Sequence, residues 1–328
     1  MAEGKQPALF VGVDVGGTKV AAGLVDGSGE IKSQTRTPMN ANGTAEEGLK
    51  SVTTAIDSLF DADPSLKSSI RGIGICSPGP LDPRAGVVVN PPNVPCWRNF
   101  PLASELEKIY RVPVRVDNDA NAAALAEVKW GAGKGYHFVF YVTVGTGIGT
   151  GIVFDGKIYH GRTGAAGEGG HVSVDYRGPR CGCGKPGCIE VLAAGPAIAR
   201  RAQAKLNAAT ETHSKMLDLA GGNIQAVTSE MVGKAYAEGD PLAKEVLLET
   251  VDVFSLWLGN AIDFFDPDVI IIGGGVSSML VPFFPEIKNL LPKYCVNSRC
   301  QEVPLLQARY GADSGIAGGA ALCADMPG

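Results

Sequence analysis

One histidine and three cysteines lie close together in the chain, in a pattern that suits a metal ion. His171, Cys181, Cys183 and Cys188 follow the spacing H-x₉-C-x-C-x₄-C, and glycines separate the cysteines. Three thiolates and one imidazole form the ligand set of a closed, tetrahedral zinc site. The alternative is three free buried thiols, which chance would rarely bring into one short glycine-rich stretch. The pattern therefore predicts a structural zinc ion.

Two carboxylates flank the predicted metal site. Glu168 lies three residues before His171, and Glu190 lies two residues after Cys188. Each carboxylate accepts two or more hydrogen bonds, so carboxylates on a loop that zinc holds rigid suit the binding of hydroxyl groups. A sugar is the obvious partner with several hydroxyls. The alternative for each glutamate taken alone is a solvated surface position.

Acidic and amide side chains also cluster where a predicted strand meets a predicted helix. The sequence of residues 117–121 is DNDAN, with a strand pattern before it and a helix pattern after it. Catalytic groups in α/β folds favour the C-terminal ends of strands, where Asp119 would accept the proton of an attacking hydroxyl. The alternative is that Asp119 only caps the helix. We favour the catalytic role because two aspartates and two asparagines exceed what a cap needs.

Three glycine-rich turns after apolar strands suggest that the chain binds a nucleotide. The residues are Asp14, Gly16, Gly17, Thr18 and Lys19 in the first turn, Gly145, Thr146 and Gly147 in the second, and Gly274 and Gly275 in the third. Glycines expose backbone N–H groups to an anion, and a strand-end carboxylate such as Asp14 suits Mg²⁺. We expect the first turn at the γ-side phosphates, the second at the other phosphates and the third at the nucleoside.

The glycine turns do not match the two commonest nucleotide-binding motifs. Neither G-x-x-x-x-G-K-[ST] nor G-x-G-x-x-G follows a predicted strand, so P-loop and Rossmann folds lose support. The first turn taken alone is equally consistent with an ordinary hairpin. Three such turns in this order make nucleotide binding the stronger interpretation.

The elements that must position these residues alternate between strands and helices. Strand patterns are predicted at 8–15, 112–119 and 269–277, and helices at 44–60, 196–209, 228–238, 240–263 and 314–324. The segments AAGLVDGSGEI (21–31) and GTGIVFDGKIY (149–159) suggest a weak internal duplication. We therefore expect two similar α/β domains facing each other. The small one comprises residues 1–120 plus 311–328, and the large one comprises 121–310 with the zinc loop.

Composition excludes several classes of protein. The chain has 328 residues, of which 45% are hydrophobic, and Lys+Arg 29 against Asp+Glu 34 gives a net charge of −5. A disordered chain is excluded by that apolar fraction, and a protein that wraps nucleic acid or lies on an anionic membrane would need a basic surface. The N-terminal residues carry no pattern of an export signal. We expect a cytoplasmic protein with no nucleic acid or membrane partner.

Taken together, these motifs resemble the ROK family of sugar kinases and repressors, within the actin–hexokinase superfamily. DVGGTK at 14–19 is similar to the family's first phosphate motif, and CGCGKPGCIE at 181–190 is similar to its zinc motif C-x-C-G-x-x-G-C-x-E. The glycines from Gly145 to Gly151, continuing to Gly170-His171, are similar to its signature region. The resemblance implies an actin/hexokinase-like (ribonuclease H-like) α/β fold of two domains with an interdomain cleft.

The resemblance also implies roles for particular residues. Asp119 would be the general base on the 6-hydroxyl of a hexose, and the sugar would be bound by Asn118, Asp119, Glu168, His171 and Glu190, with Gly79 and Asn93 as weaker candidates. His171 would bind the sugar with one ring nitrogen and zinc with the other, since the two nitrogens are distinct. The E-x-x-H spacing of Glu168 and His171 resembles the glucokinase branch. The cofactors implied are ATP, Mg²⁺ and structural Zn²⁺.

The leading hypothesis is an ATP-dependent hexose kinase, with glucose the expected sugar. Within the same class, the sugar could instead be N-acetylmannosamine, N-acetylglucosamine or fructose, and polyphosphate stays open as the donor. A sugar-responsive repressor is disfavoured by the short segment before Asp14 and by the net charge of −5. A zinc-stabilised sugar-binding protein without activity is the third possibility. Because the family often forms dimers or tetramers, we expect a homodimer.

Overall fold

A computed structural model describes residues 8–208 and 213–325, which form two compact units. Unit 1 extends to Tyr141 and also contains Gly151–Gly167 and the residues from Arg309 onward. Unit 2 contains Val142–Thr150 and Glu168–Ala308. These units are not divided where the sequence analysis divides the domains, because residues 121–141 belong to unit 1. The domain boundaries given above stay a prediction.

The strands and helices follow the alternation expected from the sequence. The strands are β1 (Leu9–Val15), β2 (Lys19–Asp26), β3 (Ile31–Pro38), β4 (Ile70–Ser77), β5 (Leu81–Asp82), β6 (Val87–Val88), β7 (Val114–Asn118), β8 (Phe138–Val144), β9 (Ile148–Phe154), β10 (Lys157–Ile158), β11 (Val269–Gly273) and β12 (Leu305–Gln307). The helices are α1 (Ala45–Ser58), α2 (Leu102–Tyr110), α3 (Asp119–Trp130), α4 (Ile189–Ala193), α5 (Gly195–Ala208), α6 (Lys215–Leu219), α7 (Ser229–Ala237), α8 (Pro241–Phe265), α9 (Ser277–Leu280), α10 (Phe284–Tyr294) and α11 (Ser314–Cys323). The predicted helix 196–209 corresponds to α5, and its last residue lies outside the described residues.

Two five-stranded sheets have the same order of strands. The first is β3-β2-β1-β4-β7 and the second is β10-β9-β8-β11-β12. In the first sheet β1, β2 and β3 pair antiparallel, whereas β4 lies parallel to both β1 and β7. In each sheet three strands that follow one another in the chain lie beside two later strands, and this shared order confirms the predicted duplication at the level of strand order. The boundary between the units passes through β8 and β9.

A local sequence signal places the start of α1. Thr44 accepts a hydrogen bond from the backbone N–H of Glu47, and the Glu47 carboxylate accepts one from the backbone N–H of Thr44 at 2.7 Å. This capping box satisfies two N–H groups that the helix itself leaves unpaired. The prediction of Thr44 as the cap of a helix is confirmed.

Close packing of α11 on the first sheet depends on glycines in unit 1. A Cβ on Gly12 would lie 1.8 Å from the Ile316 carbonyl oxygen, and one on Gly74 would lie 1.7 Å from that of Gly319. Helix and strand backbones therefore touch directly, which only glycine permits. The contact brings the start of α11 to the carboxyl end of β1.

Unit 2 is built around the long helix α8. Val246, Leu247, Phe254 and Leu258 of this helix have no exposed surface, and the same holds for Ile271 of β11. Across residues 8–208 and 213–325, no helix is both long and apolar enough to cross a membrane.

Candidate active site

The carboxyl edge of the first sheet collects acidic residues from different strands. Asp14 of β1 is the register partner of Cys76 in β4, which is in turn the partner of Asp117 in β7. The next pair along the same parallel strands is Ser77 with Asn118. Because neighbouring strands lie about 4.8 Å apart, side chains distant in sequence meet at this edge, as expected for a catalytic site in an α/β fold.

Asp14 is held in a poorly solvated position at this edge. Burial is the main factor that raises the pKa of its carboxyl, followed by the negative charge of Asp119, while Lys19 and Arg36 act in the opposite direction. A Cβ on Gly315, near the start of α11, would lie 2.5 Å from the Asp14 Cγ. A cation bound here would relieve both the burial and the repulsion between carboxylates. The position therefore suits Mg²⁺.

Asn118, and not Asp119, is the cap of α3. The Asn118 Oδ1 accepts hydrogen bonds from the backbone N–H groups of Ala120 at 2.9 Å and Asn121 at 3.4 Å. Asp119 is the first helical residue, and its Oδ1 accepts from the Ala120 N–H at 2.8 Å. The alternative in which Asp119 serves only as a cap is therefore wrong, since a neighbour fills that role.

The first glycine turn is a hairpin that contacts the loop carrying Asn93. The backbone N–H of Gly16 donates to the Lys19 carbonyl at 2.9 Å, and Thr18 and Lys19 are exposed. A Cβ on Gly17 would lie 2.6 Å from the Asn93 carbonyl oxygen, so glycine is needed for this approach. A predicted phosphate contact and a predicted sugar contact thus lie side by side.

Gly79 lies in the loop between β4 and β5, two residues beyond Ser77. Ser77 is the register partner of Asn118, so this loop begins at the same sheet edge. A Cβ on Gly79 would meet no atom within 4 Å, so the packing of the protein does not require glycine at this position. The predicted contact of Gly79 with the sugar stays a prediction.

Unit 2 contains a cavity of about 490 Å³ beside the second and third glycine turns. It is lined by Gly145, Thr146, Gly195, Pro196, Ala199, Val227, Thr228, Ser229, Glu230, Gly275 and Val276. The cavity therefore brings Gly145 and Thr146 together with Gly275. The first residues of α5 and α7 also line it, and helix N-termini favour anions. Hydrogen bonding from the Thr228 side chain is the main factor that lowers the pKa of Glu230 in this wall.

Two of the predicted nucleotide-binding glycines have other neighbours. A Cβ on Gly147 would lie 2.5 Å from the Glu190 Oε2, and that oxygen accepts a hydrogen bond from the backbone N–H of Ile148 at 3.1 Å. Gly274 has φ +88° and packs on the backbone of Val144. Gly147 therefore gives space to a carboxylate, and Gly274 permits a tight turn between β11 and the cavity wall.

The predicted metal ligands converge in unit 2. The ligand atoms of His171, Cys181, Cys183 and Cys188 all lie within 4.8 Å of one another. The His171 Nδ1 is 3.6 Å from the Cys181 Sγ, and the Cys183 and Cys188 Sγ atoms are 3.6 Å apart. Tetrahedral zinc with bonds of about 2.3 Å to sulfur and about 2.0 Å to nitrogen requires separations of roughly 3.5–3.8 Å between its ligand atoms. The four residues therefore fit a zinc ion, bound through Nδ1 of the histidine.

Comparison with known proteins identifies the chain. The model of the ROK family matches residues 10–326. This chain belongs to the ROK family. A glucokinase of Halalkalibacterium halodurans is 36% identical over 94% of this chain and 93% of its own length. An N-acetylmannosamine kinase of Escherichia fergusonii is 31% identical over 94% of this chain and 96% of its own length.

A solved structure agrees with the fold of this ROK protein. The ROK family glucokinase from Streptomyces griseus, in complex with glucose and AMPPNP, has a TM-score of 0.81 and 34% identity. The match covers 96% of this chain and 99% of the other. The predicted actin/hexokinase-like α/β fold is confirmed.

The loop that carries His171 and the three cysteines is tied to the rest of unit 2 by residues that the sequence analysis did not single out. The Thr150 Oγ1 accepts a hydrogen bond from the backbone N–H of Gly169 at 3.1 Å, and the Trp257 Nε1 donates to the Gly169 carbonyl at 3.1 Å. These contacts fix the chain between Glu168, which is exposed, and His171. Trp257 comes from α8, so no local sequence signal could have indicated it.

Proposed function

We propose that this ROK protein is an ATP-dependent kinase that phosphorylates the 6-hydroxyl of a hexose, with glucose as the preferred sugar. The similar Streptomyces griseus enzyme holds glucose and AMPPNP, and the Halalkalibacterium halodurans relative is a glucokinase. The observation that carries the proposal is the sheet edge in unit 1, where strand pairing puts Asp14 in register with Cys76 and Cys76 in register with Asp117, and where Asp119 begins α3 directly after β7.

Asp119 is the general base of the proposed reaction. Its carboxylate takes the proton of the 6-hydroxyl as that oxygen attacks the γ-phosphorus of ATP, and the bond from the γ-phosphorus to the bridging oxygen of ADP breaks. The proton then resides on Asp119 until the products leave. Asn118 caps α3 through Oδ1, which leaves its amide nitrogen to donate to a sugar hydroxyl.

The donor nucleotide is assigned to the glycine turns and to the cavity in unit 2. Asp14 would hold Mg²⁺, which neutralises charge on the phosphates when it is bound. Gly16, Gly17, Thr18 and Lys19 form the exposed hairpin next to Asp14 and are proposed to meet the γ-side phosphates. The cavity of about 490 Å³ is large enough for a nucleoside, which favours ATP over polyphosphate.

The sugar is assigned to residues around the zinc loop and the sheet edge. Glu168, His171 and Glu190 are proposed to bind its hydroxyls, with Asn93 and Gly79 as further contacts. Zinc bound by His171 Nδ1 and the three cysteines would hold this loop rigid, and Nε2 would then be available to the sugar. Rigid polar groups bind a polyhydroxylated ligand at a lower entropic cost than mobile ones.

A coupled assay with purified protein tests the proposal. ADP release is measured with glucose, N-acetylmannosamine, N-acetylglucosamine and fructose, each with ATP or polyphosphate as donor. We expect the highest kcat/KM for glucose with ATP, and no ADP release without sugar. Asp119→Asn should keep sugar affinity and lose at least about 100-fold in kcat. Asp61→Asn, at an exposed aspartate in a turn, is the matched control. Activity close to that of the wild type in Asp119→Asn would contradict the proposed base.

Three further assignments accompany the proposed kinase activity. We assign residues 1–120 with 311–328 and residues 121–310 to the two domains. We expect the active protein to be a homodimer, which light scattering would test. We expect it to work in the cytoplasm, where ATP is abundant, and cell fractionation would test that location.

A further inference from the structure

A histidine outside the predicted metal cluster is hydrogen-bonded to the acidic sheet edge of unit 1. The His160 Nε2 lies 2.6 Å from the Asp117 Oδ2, with the carboxylate as acceptor. The histidine side chain is 24% exposed and that of the aspartate only 5%. His160 follows β10 and begins the loop that leads to Glu168, and its carbonyl accepts a hydrogen bond from the Ala166 N–H at 3.2 Å.

Asp117 also accepts hydrogen bonds from the segment that contains the proposed base, and so connects His160 to that segment. The Asp117 Oδ1 accepts hydrogen bonds from the backbone N–H of Asn118 at 2.8 Å and from the Asn121 Nδ2 at 3.1 Å. Both carboxylate oxygens are therefore engaged. The backbone of Asn118 is held in the position from which Asn118 caps α3 and Asp119 begins it.

The stability of the fold alone does not account for this network. A buried hydrogen bond gains little net stability, because its partners give up hydrogen bonds to water when they are buried. Within the described part of the chain, the buried Asn121 Oδ1 also has no hydrogen-bond partner. An unpaired buried acceptor costs about 1–3 kcal/mol. A polar network that is retained at such cost, directly next to a strand-end aspartate, indicates a role in positioning.

We propose that His160 is a positioning residue for the general base: through Asp117 it fixes the turn from β7 into α3 and thereby the orientation of the Asp119 carboxylate. This proposal rests on the proposed kinase activity for the identity of the base. A base that is misplaced by about 1 Å can lose about 100-fold in rate. The effect is expected in kcat, since His160 is not assigned to either substrate.

The first experiment compares the kinetics of three variants. His160→Leu removes the donor, whereas His160→Gln keeps an N–H at the position of Nε2. His137→Leu is the matched control, because the His137 Nδ1 lies 3.1 Å from the Asp155 Oδ1 in a pair whose histidine is 82% exposed. We expect kcat to fall about 100-fold in His160→Leu, with the KM for ATP within about threefold, and to recover at least about tenfold in His160→Gln. His137→Leu should match the wild type.

The second experiment measures how firmly the backbone of the turn is held, independently of enzyme activity. Hydrogen–deuterium exchange of the peptide that covers 114–121 is measured in the same proteins at a temperature where all are folded. Exchange should rise in His160→Leu and stay at the wild-type level in His160→Gln and His137→Leu. Unchanged exchange in His160→Leu, or equal kcat losses in the leucine and glutamine variants, would overturn the proposal. A wild type that phosphorylates no hexose would refute the kinase proposal, and the exchange data alone would then decide the role of His160.

Discussion

The carboxylate of Glu190 rests against the backbone of Gly147. Its Oε2 accepts a hydrogen bond from the Ile148 N–H at 3.1 Å, and a Cβ on Gly147 would lie 2.5 Å from that oxygen. Its Oε1 lies 3.7 Å from the Cys181 Sγ. One side chain therefore joins the metal loop to the second glycine turn within unit 2.

Gly147→Ala is expected to weaken sugar binding more than nucleotide binding. The new methyl group would push the Glu190 carboxylate away, and the end of that flexible side chain can move without unfolding the protein. Loss of a hydrogen bond to a charged group costs about 1.5–3 kcal/mol, so the KM for glucose should rise about tenfold or more. Gly27→Ala, where a Cβ would meet no atom within 4 Å, is the control. A larger rise in the KM for ATP than for glucose would mean that Gly147 acts on the nucleotide instead.

Asp14→Asn is expected to stabilise the metal-free protein at neutral pH while it weakens the use of MgATP. Burial and the charge of Asp119 raise the pKa of Asp14, so folding favours its neutral form. That stability is fully present below the pKa of the unfolded chain and is lost as pH rises through the raised folded pKa. Asparagine carries no charge that folding would have to bury, so the variant should be more stable than the wild type at about pH 7.5. The difference should close at about pH 3.5, where Asp14 is protonated in the folded wild type.

Denaturant unfolding without Mg²⁺ or nucleotide, at both pH values, measures this difference, with Asp61→Asn as control. In the presence of Mg²⁺, the KM for ATP should rise at least about tenfold in Asp14→Asn. A stability difference that is the same at both pH values would show that the charge of Asp14 is not its cause.

Loss of one thiol is expected to remove the metal and weaken sugar binding together. Burial raises the pKa of Cys188 to about 12, so without a cation this thiol stays protonated, whereas zinc would bind the thiolate. Elemental analysis should find one zinc per chain in the wild type and almost none in Cys183→Ser. The KM for glucose should rise about 10- to 100-fold in that variant. Cys96→Ser, at a half-buried cysteine outside the cluster, should retain both properties, and zinc-free wild type with full activity would contradict the coupling.

Filling the cavity in unit 2 is expected to block the nucleotide selectively. Ala199 lines the cavity, whereas Ala204 of the same helix is exposed. Ala199→Phe should raise the KM for ATP at least about tenfold, because a phenyl ring takes the volume that a nucleoside needs. Sugar affinity, measured by calorimetry without nucleotide, should not change. Ala204→Phe is the control, and an unchanged KM for ATP in Ala199→Phe would place the nucleoside elsewhere.

Features built from neighbouring residues were predictable from the sequence. The two partners of the Thr44 capping box lie within one helical turn. His171 and the three cysteines that converge with it lie within one loop. Short segments of chain have few ways to arrange such groups, so residue type and spacing suffice. The glycine turns after strands were located correctly for the same reason.

The partners of Gly147 and the role of Asn118 were not predictable in this way. A glycine turn that binds a phosphate and one that contacts a carboxylate have the same local sequence pattern. Only the tertiary contact between Gly147 and Glu190, which are distant in sequence, shows which of the two this turn is. Aspartate and asparagine are equally good helix caps, so the exact start of α3 depends on the register of β7 against β4.

The amino-acid sequence by itself determined the class of fold, the family and the cluster of one histidine and three cysteines that fits a metal ion, because hydrophobic period, turn residues and ligand spacing are local properties. Only the tertiary structure decided that Asp14 and Asp117 come to the same edge of one sheet, that His160 is hydrogen-bonded to Asp117, and that four separate segments line one cavity. Those relationships arise from the pairing of strands and the packing of helices over long sequence separations, where a shift of one residue would turn a side chain to the opposite face of the sheet.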